Sequence, residues 1–311
     1  MQKNKLAEIA KVESALLLGA RKYFQTHGFT EVVVPHLTRA TGACENVDTL
    51  FAVDYFGQTA YLSQTGQLFL ESLIPAIEKV WCVGPSFRAE SEADNRHLTE
   101  FPLVELEFAG DFEQLLAQIE GVICSMTAEA ATALPEEKAA KLNAIRRPFN
   151  RITYTRAVEM LADMEVKWGD DLKSRHEQTL MERTGGQPLF ITHYPGAIKF
   201  FNMRTNPGDP RIVNSADLIL PHSGEAVGSA EREFECEPLK KRLENSQMLK
   251  RLIERGGSIR DFDWYFDHLR TNGSVLHAGC GIGLNRVTQF VLGSADIRDC
   301  TVFPMNSQRL L

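Results

Sequence analysis

The clearest pattern of apolar and polar positions lies in residues 82–109, where two apolar arms enclose the hydrophilic run SEADNR. That run leaves no room for a helix of useful length, so the pattern predicts a strand, an exposed loop and a second strand. Side chains alternate between the two faces of a strand. One face of this hairpin is therefore predicted to carry Arg88 and Glu90 from the first arm and Phe101, Leu103, Glu105 and Glu107 from the second.

Two interpretations fit a sheet face that carries an arginine and three carboxylates. An unpaired carboxylate is costly to desolvate, so such charges are expected to be paired or bound to a ligand. An antiparallel sheet with one solvated face, on which Arg and Glu form cross-strand pairs, gives the same pattern. The alternation alone leaves both interpretations open.

Elsewhere the apolar spacing predicts mainly helices. The first covers residues 4–27 and stops at Gly28, and EVVVPHL after it is predicted to be a strand ending at Pro35. Further helices are predicted from 111 to about Ala133, after a break at Pro135, twice within 153–184, and over 237–270 with a break at Gly256 and Gly257. YLSQTGQLFLESLIPAI predicts a strand, a turn at Gly66 and a helix, and QPLFITHYPGAIKFFNM predicts two core strands.

Composition places the chain among ordinary globular proteins. Its 311 residues are 43% apolar and 24% charged, enough for a large core in what we expect to be one domain. The net charge of -7 gives no electrostatic footprint for a polyanion. The six cysteines form no CxxC pair, which predicts reduced, mostly core thiols. Because neither a signal peptide nor an apolar run near membrane-spanning length is evident, we expect a soluble, cytoplasmic protein.

Two further stretches carry candidate chemistry. In SADLILPHSGEAVGSAER, a hairpin at PHSG would bring Asp217 and Glu225 together, and two close carboxylates repel unless they share a cation or a proton. A magnesium ion on ATP phosphates would fit, and a routine turn with flanking charges is the alternative. Near the C-terminus, glycines 279, 281 and 283 precede LNRVTQFVL, a predicted helix with Arg286 in its first turn. Alone, GxGxG is weak evidence for a nucleotide site.

Several of these stretches together resemble class II aminoacyl-tRNA synthetases of the aspartyl/asparaginyl branch. FRAE and RHLTEF resemble motif 2, HAGCGIGLNRVTQFVLGSADIRDCTVFP resembles motif 3, and the first helix, strand and proline resemble motif 1. The resemblance is strongest to asparaginyl-tRNA synthetase and implies an α+β fold, an antiparallel sheet flanked by helices. It implies a single catalytic domain over 1–311, with the motifs at about 4–37, 82–109 and 277–305. The family's anticodon-binding barrel has no counterpart in this sequence.

The resemblance assigns roles to individual residues, with ATP and Mg²⁺ as cofactors and a homodimer built through motif 1. The implied ATP contacts are Arg88, Glu90, His97, Phe101, Gly281, Gly283 and Arg286, of which Arg88, His97 and Arg286 are catalytic through the phosphates. The implied amino-acid contacts are Glu45, Gln67, Glu105 and Arg232. Asp217 and Glu225 would hold magnesium. Lys199 matches a lysine of the asparaginyl pattern, and a lysine snorkelling at the core edge is the alternative.

Three departures from the family pattern bear on function. Leu70 stands where aspartyl enzymes have a lysine that binds the side-chain carboxylate, whereas Glu105 is of asparaginyl type. Asn285 replaces a glutamate before the motif 3 arginine, and Met305 replaces an arginine after FP.

Three functions are compatible with these features. The first is an adenylate-forming ligase that makes asparagine, or a related amide, from aspartate, ATP and ammonia. The second is activation of asparagine or an analogue at its α-carboxylate, with transfer to a carrier, a small molecule or tRNA; an acidic chain makes tRNA the weaker expectation. The third is a non-catalytic sensor of amino acid or ATP. The pattern of residues does not fix which carboxylate is activated.

Overall fold

The computed structural model describes residues 2–40, 47–273 and 275–311. The α-helices in these ranges are α1 (Gln2–Thr26), α2 (Gln67–Leu73), α3 (Phe112–Ala131), α4 (Glu136–Asn143), α5 (Tyr154–Met160), α6 (Ser174–Arg183), α7 (Cys236–Asn245), α8 (Gln247–Glu254), α9 (Asp263–Asn272) and α10 (Leu284–Leu292). The strands are β1 (Thr30–Glu31), β2 (Leu37–Thr38), β3 (Ala52–Tyr55), β4 (Gln58–Leu62), β5 (Lys79–Phe87), β6 (Glu100–Ala109), β7 (Asn150–Thr153), β8 (Leu189–Thr192), β9 (Thr205–Asn206), β10 (Asp209–Val213), β11 (Ser215–Leu220), β12 (Gly224–Glu231) and β13 (His277–Gly283).

Most of the strands belong to one large sheet. Within the described ranges it has eight strands, in the order β1-β5-β6-β13-β12-β11-β8-β7. The central pairs from β5 to β8 are antiparallel, while β1 and β7 add to the edges in parallel. The predicted α+β fold, an antiparallel sheet flanked by helices, is confirmed.

Helices cover one face of this sheet. The alternate residues Val104, Leu106 and Phe108 of β6 enter a core shared with apolar residues of α1, α3 and α10. Helices α1 and α3 approach closely at Gly19, where a Cβ would lie 2.5 Å from the Ser125 carbonyl oxygen. Because strand side chains alternate, the remaining β6 side chains face the opposite side of the sheet, where the polar residues lie.

The predicted hairpin over 82–109 is confirmed, with two corrections. Strand β5 ends at Phe87, so Arg88 and Glu90 lie in the loop rather than on the strand face. The chain turns away there because the Ala89 amide donates to the Thr49 carbonyl. The run SEADNR is also less exposed than predicted, since Ala93, Asp94 and Arg96 are half-buried.

Two strand predictions were wrong in extent. QPLFITHYPGAIKFFNM supplies one strand, β8, and then a 3-10 turn at Gly196–Ile198, because Pro195 has no amide hydrogen to continue a ladder. EVVVPHL contributes only Glu31 to the two-residue strand β1 and Leu37 to β2, and between them one further amide bond joins Val32 to Trp81. The predicted helices, including the breaks near Pro135 and Gly256, are confirmed, but the segment from 237 has a further break that was not predicted, at Ser246, whose side chain caps α8.

The described cysteines are unpaired, as their spacing in the sequence predicted. Among the described cysteines, Cys82, Cys124, Cys236, Cys280 and Cys300 are all free thiols. No helix within the described ranges combines the length and the apolar character that crossing a bilayer would require.

Candidate active site

A cavity of about 540 Å³ opens on the sheet face opposite α1 and α3. All but one of the residues proposed for the site from the sequence line it: Gln67, Arg88, Glu90, His97, Phe101, Glu105, Asp217, Glu225, Arg232, Gly281, Gly283 and Arg286. The exception, Glu45, lies outside the described residues. Residues more than 200 positions apart thus share one cavity, and their individual roles stay predictions.

Strand β6 sets the length of this cavity. Phe101, Leu103, Glu105 and Glu107 all line it, as the alternation predicted. At roughly 3.3 Å per residue, Glu105 lies about 13 Å and Glu107 about 20 Å along the strand from Phe101. The cavity therefore has an aromatic end at Phe101 and a carboxylate end at Glu107.

Arg88 lies at the aromatic end. Its guanidinium carbon is 5.4 Å from the Phe101 ring centroid, and its amide donates to the Thr99 carbonyl at 2.9 Å. The Arg88 Nε is buried and has no hydrogen-bond partner among the described residues. A buried, unpaired cationic donor is costly unless a ligand completes it, so the Arg88 environment fits an anion such as phosphate or carboxylate.

Two further arginines, Arg286 and Arg96, and the His97 ring lie beside Arg88. Arg286 is fixed by hydrogen bonds to the carbonyls of Ser223 (2.5 Å) and Arg96 (2.8 Å). Burial lowers the pKa of Arg286 to about 10, and the charges of Arg96 and Arg88 add to the shift. His97 is held by the carboxylate of Asp94, with 2.8 Å between Nδ1 and Oδ2. Such a concentration of positive charge suits a polyphosphate.

Three carboxylates, Asp217, Glu225 and Glu177, form the acidic part of the cavity, and Glu177 is in direct contact with Arg96. Burial raises the pKa of Asp217; the charge of Lys199, 2.7 Å away, opposes the shift and Glu225 adds to it. Burial and the charge of Glu225 also raise the pKa of Glu177, whose Oε2 accepts from Arg96 at 2.9 Å. Mutual repulsion of this kind indicates that a further cation would be stabilised between Asp217 and Glu225. Lys199 is thus an ion-pair partner rather than a snorkelling lysine.

At the carboxylate end, Arg232 is almost fully buried, with 3% of its surface exposed. Its Nε and Nη2 donate to Oε1 of Glu107 at 3.0 and 2.7 Å, and Glu71 Oε1 is 3.7 Å from Nε. Nη1 makes no hydrogen bond to another described residue and is the donor left for a ligand. Burial raises the pKa of Glu107, with Arg232 opposing the shift.

Glu105 lies between the two ends. It accepts hydrogen bonds from the Thr65 hydroxyl and from the Gly66 amide, the latter at 2.8 Å. Burial raises the pKa of Glu105, and these hydrogen bonds oppose the shift. A positively charged ligand group would stabilise the ionised form of a carboxylate buried in this way.

The motif 3 glycines differ in what they permit. A Cβ at Gly279 would lie 2.1 Å from Cδ of Glu107, so that glycine is needed for the Glu107 side chain to pack. A Cβ at Gly281 would meet no protein atom closer than 3.8 Å, and at Gly283 none closer than 3.3 Å. Gly281 therefore leaves open space in the cavity rather than relieving a clash.

Gly281→Ala tests whether a ligand occupies the open space beside Gly281. Because the new methyl group fits the protein but takes up ligand space, we expect an unchanged melting temperature and a roughly tenfold or larger loss in kcat/KM for amino-acid-dependent pyrophosphate exchange. Gly196→Ala is the control, since a Cβ there lies 3.4 Å from Val213, away from the cavity. Equal kinetics for the two variants would contradict a ligand at Gly281.

The three residues that depart from the family pattern, Leu70, Asn285 and Met305, all make contacts within the protein. Leu70 is fully buried against Val34, Ile74 and Val80, so no charge occupies its position. Asn285 donates to Glu13 of α1 at 3.1 Å and to the Cys300 carbonyl at 3.3 Å. The Met305 carbonyl accepts from the Thr99 amide at 3.0 Å, which places the C-terminal segment against the motif 2 loop.

Sequence reasoning missed several residues of the site. Arg96 immediately precedes His97 in RHLTEF, so a closer reading of that motif could have found it. Glu177 comes from α6, a helix without any chemical pattern, and Glu71 and His277 lie behind the cavity wall. His277 stands first in the motif 3 stretch but was assigned no role there, and only their spatial positions identify Glu177 and Glu71.

Comparisons with known proteins agree with the geometry. Residues 1–307 match the family described as tRNA synthetases class II (D, K and N). The asparagine--tRNA ligases of Thermococcus gammatolerans and Pyrococcus furiosus are each 38% identical over 98% of this chain and 70% of their own length. The chain therefore belongs to the class II tRNA synthetases of the D, K and N group, whose members are ATP-dependent, AMP-forming ligases.

Solved structures point to the same branch of that family. Asparaginyl-tRNA synthetase from Pyrococcus horikoshii, complexed with asparaginyl-adenylate, superposes with a TM-score of 0.88 at 35% identity, over 99% of this chain and 70% of that one. Asparaginyl-tRNA synthetase from Entamoeba histolytica, also complexed with asparaginyl-adenylate, gives a TM-score of 0.86 at 28% identity, over 98% and 68%.

Proposed function

We propose that this chain condenses ATP with aspartate at the β-carboxylate, releases pyrophosphate, and passes the β-aspartyl adenylate to ammonia to give asparagine and AMP. The general reaction, formation of an aminoacyl adenylate, is that of its family. The choice of carboxylate and acceptor is specific to this proposal. It rests on the charge of the carboxylate end, where Arg232 already faces Glu71 and Glu107 and where Leu70 supplies no second cation.

Charge balance decides how aspartate would bind. With its α-carboxylate at Arg88, the β-carboxylate would add an anion beside Glu105 and Glu107, a like-charge contact that costs binding. Exchanged end for end, the α-carboxylate meets Nη1 of Arg232 and the ammonium group meets Glu105. This zwitterionic end adds no net charge, and the β-carboxylate then points towards Arg88.

The side chains at the aromatic end suit the first chemical step. A β-carboxylate oxygen forms a bond to the α-phosphorus of ATP, and the bond from that phosphorus to the pyrophosphate oxygen breaks. Arg88 is placed to hold the reacting carboxylate and the α-phosphate, while Arg286, Arg96 and His97 neutralise the departing pyrophosphate. Phe101 offers a ring face on which adenine stacks.

Magnesium fits the acidic side of the cavity. Within the described ranges no group of three His, Cys, Asp or Glu side chains is arranged to hold a metal ion, so the ion would depend on ATP phosphates for further ligands. Asp217 and Glu225 would hold it, because their repulsion already favours a cation. When bound, it would neutralise charge on the phosphates.

In the second step, the ammonia nitrogen bonds to the β-carbonyl carbon. The bond from that carbon to the AMP oxygen breaks, and the nitrogen loses a proton. Throughout this step Arg232 and Glu105 keep the α-carbon end of the substrate fixed, which positions the reacting carbonyl near Arg88.

Pyrophosphate exchange with each amino acid separately tests the proposed function. We expect aspartate to support exchange and ammonium to consume the adenylate. Exchange with asparagine and none with aspartate would overturn the choice of the β-carboxylate while leaving adenylate formation intact.

A second candidate is activation of asparagine at its α-carboxylate, with transfer to tRNA or another acceptor. It is favoured by the similarity to asparagine--tRNA ligases and to structures that contain asparaginyl-adenylate. A neutral amide would accept one hydrogen bond from Nη1 of Arg232 without adding charge, so the pocket geometry is compatible with it. The exchange assay separates the two candidates.

The proposed function includes a homodimer formed through residues 4–35. Leu18 on α1 is 46% exposed and Val33 is 99% exposed, although both are apolar. We expect a dimer in sedimentation at micromolar concentration and a monomer after Val33→Glu, because a buried unpaired carboxylate opposes association. Ile253→Glu, at an exposed apolar site on α8, should leave the dimer intact. A monomeric wild type would contradict the interface.

A further inference from the structure

Behind the carboxylate end of the cavity lies a buried polar cluster centred on Glu71, which is fully buried on α2. Its Oε1 accepts from Gln67 at 2.7 Å and from Asn202 at 2.6 Å, and its Oε2 accepts from the Tyr265 hydroxyl. Glu71 thus fixes Gln67 directly, and it lies 3.7 Å from Arg232. Both of those residues line the cavity and were predicted to bind the amino acid.

His277, at the start of β13, completes this cluster and is only 2% exposed. Its Nδ1 lies 2.7 Å from the Val275 carbonyl oxygen, and its Nε2 lies 3.5 Å from Oε2 of Glu71. A carbonyl oxygen only accepts, so Nδ1 carries a hydrogen. A neutral ring would then turn the Nε2 lone pair towards a carboxylate. The geometry therefore favours a proton on both nitrogens.

A charged His277 balances the cluster. Arg232 is one cation between two carboxylates, Glu71 and Glu107, all in the protein interior. With Glu107 ionised beside Arg232, a second cation at His277 brings the summed charge of these four groups to zero, and a balanced cluster leaves no buried charge uncompensated. Without it, Glu71 would depend on Arg232 and would draw the guanidinium away from the cavity.

We propose that His277 and Glu71 are positioning residues of the amino-acid site: protonated His277 neutralises Glu71, so that Glu71 holds Gln67 in place while Arg232 stays turned to the ligand. This inference rests on the proposed amino-acid site, but it holds for either candidate substrate. It assigns the two residues no contact with the reacting atoms.

The proton equilibria agree with this arrangement. Burial opposes protonation of His277, but the hydrogen bond to Glu71 and its charge raise the pKa of the imidazole above its ordinary value. Burial likewise opposes ionisation of Glu71, yet His277 and Arg232 hold its pKa below the ordinary value. The charged or titratable groups that face His277 are Glu71 from α2, Glu107 from β6, Arg232 next to β12 and Tyr265 from α9.

A double-mutant cycle on the full chain tests the proposal, with the dissociation constants of aspartate and asparagine measured by calorimetry. We expect His277→Gln to weaken binding of the preferred amino acid tenfold or more while ATP binding stays unchanged. Adding Glu71→Gln removes the charge that His277 balances, so the double variant should recover to within about threefold of the wild type. Glu231→Gln, a buried carboxylate next to Arg232 that bonds Arg204 and Asn214 instead, is the matched control.

The pH dependence gives a readout that a purely structural role would not move. Protonated His277 is the form that supports binding, and its pKa is raised. The affinity of the wild type for the amino acid should therefore be highest below that pKa and fall as the pH rises through it. The His277→Gln variant should lack this limb. ATP binding and the melting temperature report on folding in each variant.

Two results would overturn the inference: unchanged amino-acid affinity in His277→Gln, or a double variant no better than His277→Gln alone. Failure of the proposed function looks different, because the wild type would then bind amino acid but support pyrophosphate exchange only with asparagine, or with neither amino acid. A wild type that binds neither aspartate nor asparagine would overturn both.

Discussion

Arg88→Ala is expected to lower the rate of adenylate formation by about 10²–10³, the usual effect of removing one donor that stabilises a transition state. The reason is local: the Arg88 guanidinium lies over Phe101, and its Nε is buried without a partner among the described residues. Pyrophosphate exchange under saturating substrates measures the loss.

Two further variants show whether the loss at Arg88 is specific. Arg88→Lys keeps the charge but lacks the planar fork, so we expect only partial recovery. Arg156→Ala, an exposed arginine on α5, should behave like the wild type. Wild-type rates in Arg88→Ala, with folding unchanged, would contradict the assignment of the aromatic end to the phosphates.

Arg232→Met is expected to lower the free energy of unfolding by about 3–5 kcal/mol and to abolish amino-acid binding. The substitution leaves Glu107 and Glu71 buried without their shared cation. Urea unfolding of the two proteins at neutral pH measures the difference.

The pH dependence of that loss has a definite sign. Burial already raises the pKa of Glu107, and removing Arg232 raises it further. The folded variant then binds more protons than the unfolded chain, so its stability falls as the pH rises from the unfolded towards the folded pKa. The deficit should therefore shrink in acid. Adding Glu107→Gln should restore much of the stability but not the binding, and equal instability of both variants would contradict the ion-pair account.

Much of the fold followed from short-range pattern. Alternation along 82–109 predicted both the hairpin and the shared face of Phe101, Glu105 and Glu107, because a buried strand face leaves little freedom of register. Pattern failed where tertiary hydrogen bonds decided the outcome. Strand β5 ends before Arg88, where the Ala89 amide donates to the Thr49 carbonyl. The chain after Thr192 turns away from the sheet at Pro195.

The site was predictable wherever its residues lie in recognisable motifs. Resemblance supplied the twelve described candidates, and the structure brings them into one cavity. The cluster behind the cavity could not be found in the same way: His277 begins the motif 3 stretch, but its contact with Glu71, 206 positions away, is made only through the sheet and α2. A buried carboxylate in a helix and a histidine at a strand start carry no signal of function by themselves.

The central claim, that the β-carboxylate of aspartate is activated and amidated, is tested most directly by product analysis with ¹⁵N-labelled ammonium, aspartate, ATP and magnesium. We predict asparagine labelled in its side-chain amide, together with AMP and pyrophosphate in equal amounts. Formation of AMP and pyrophosphate only when asparagine replaces aspartate, with no labelled amide in either reaction, would contradict it.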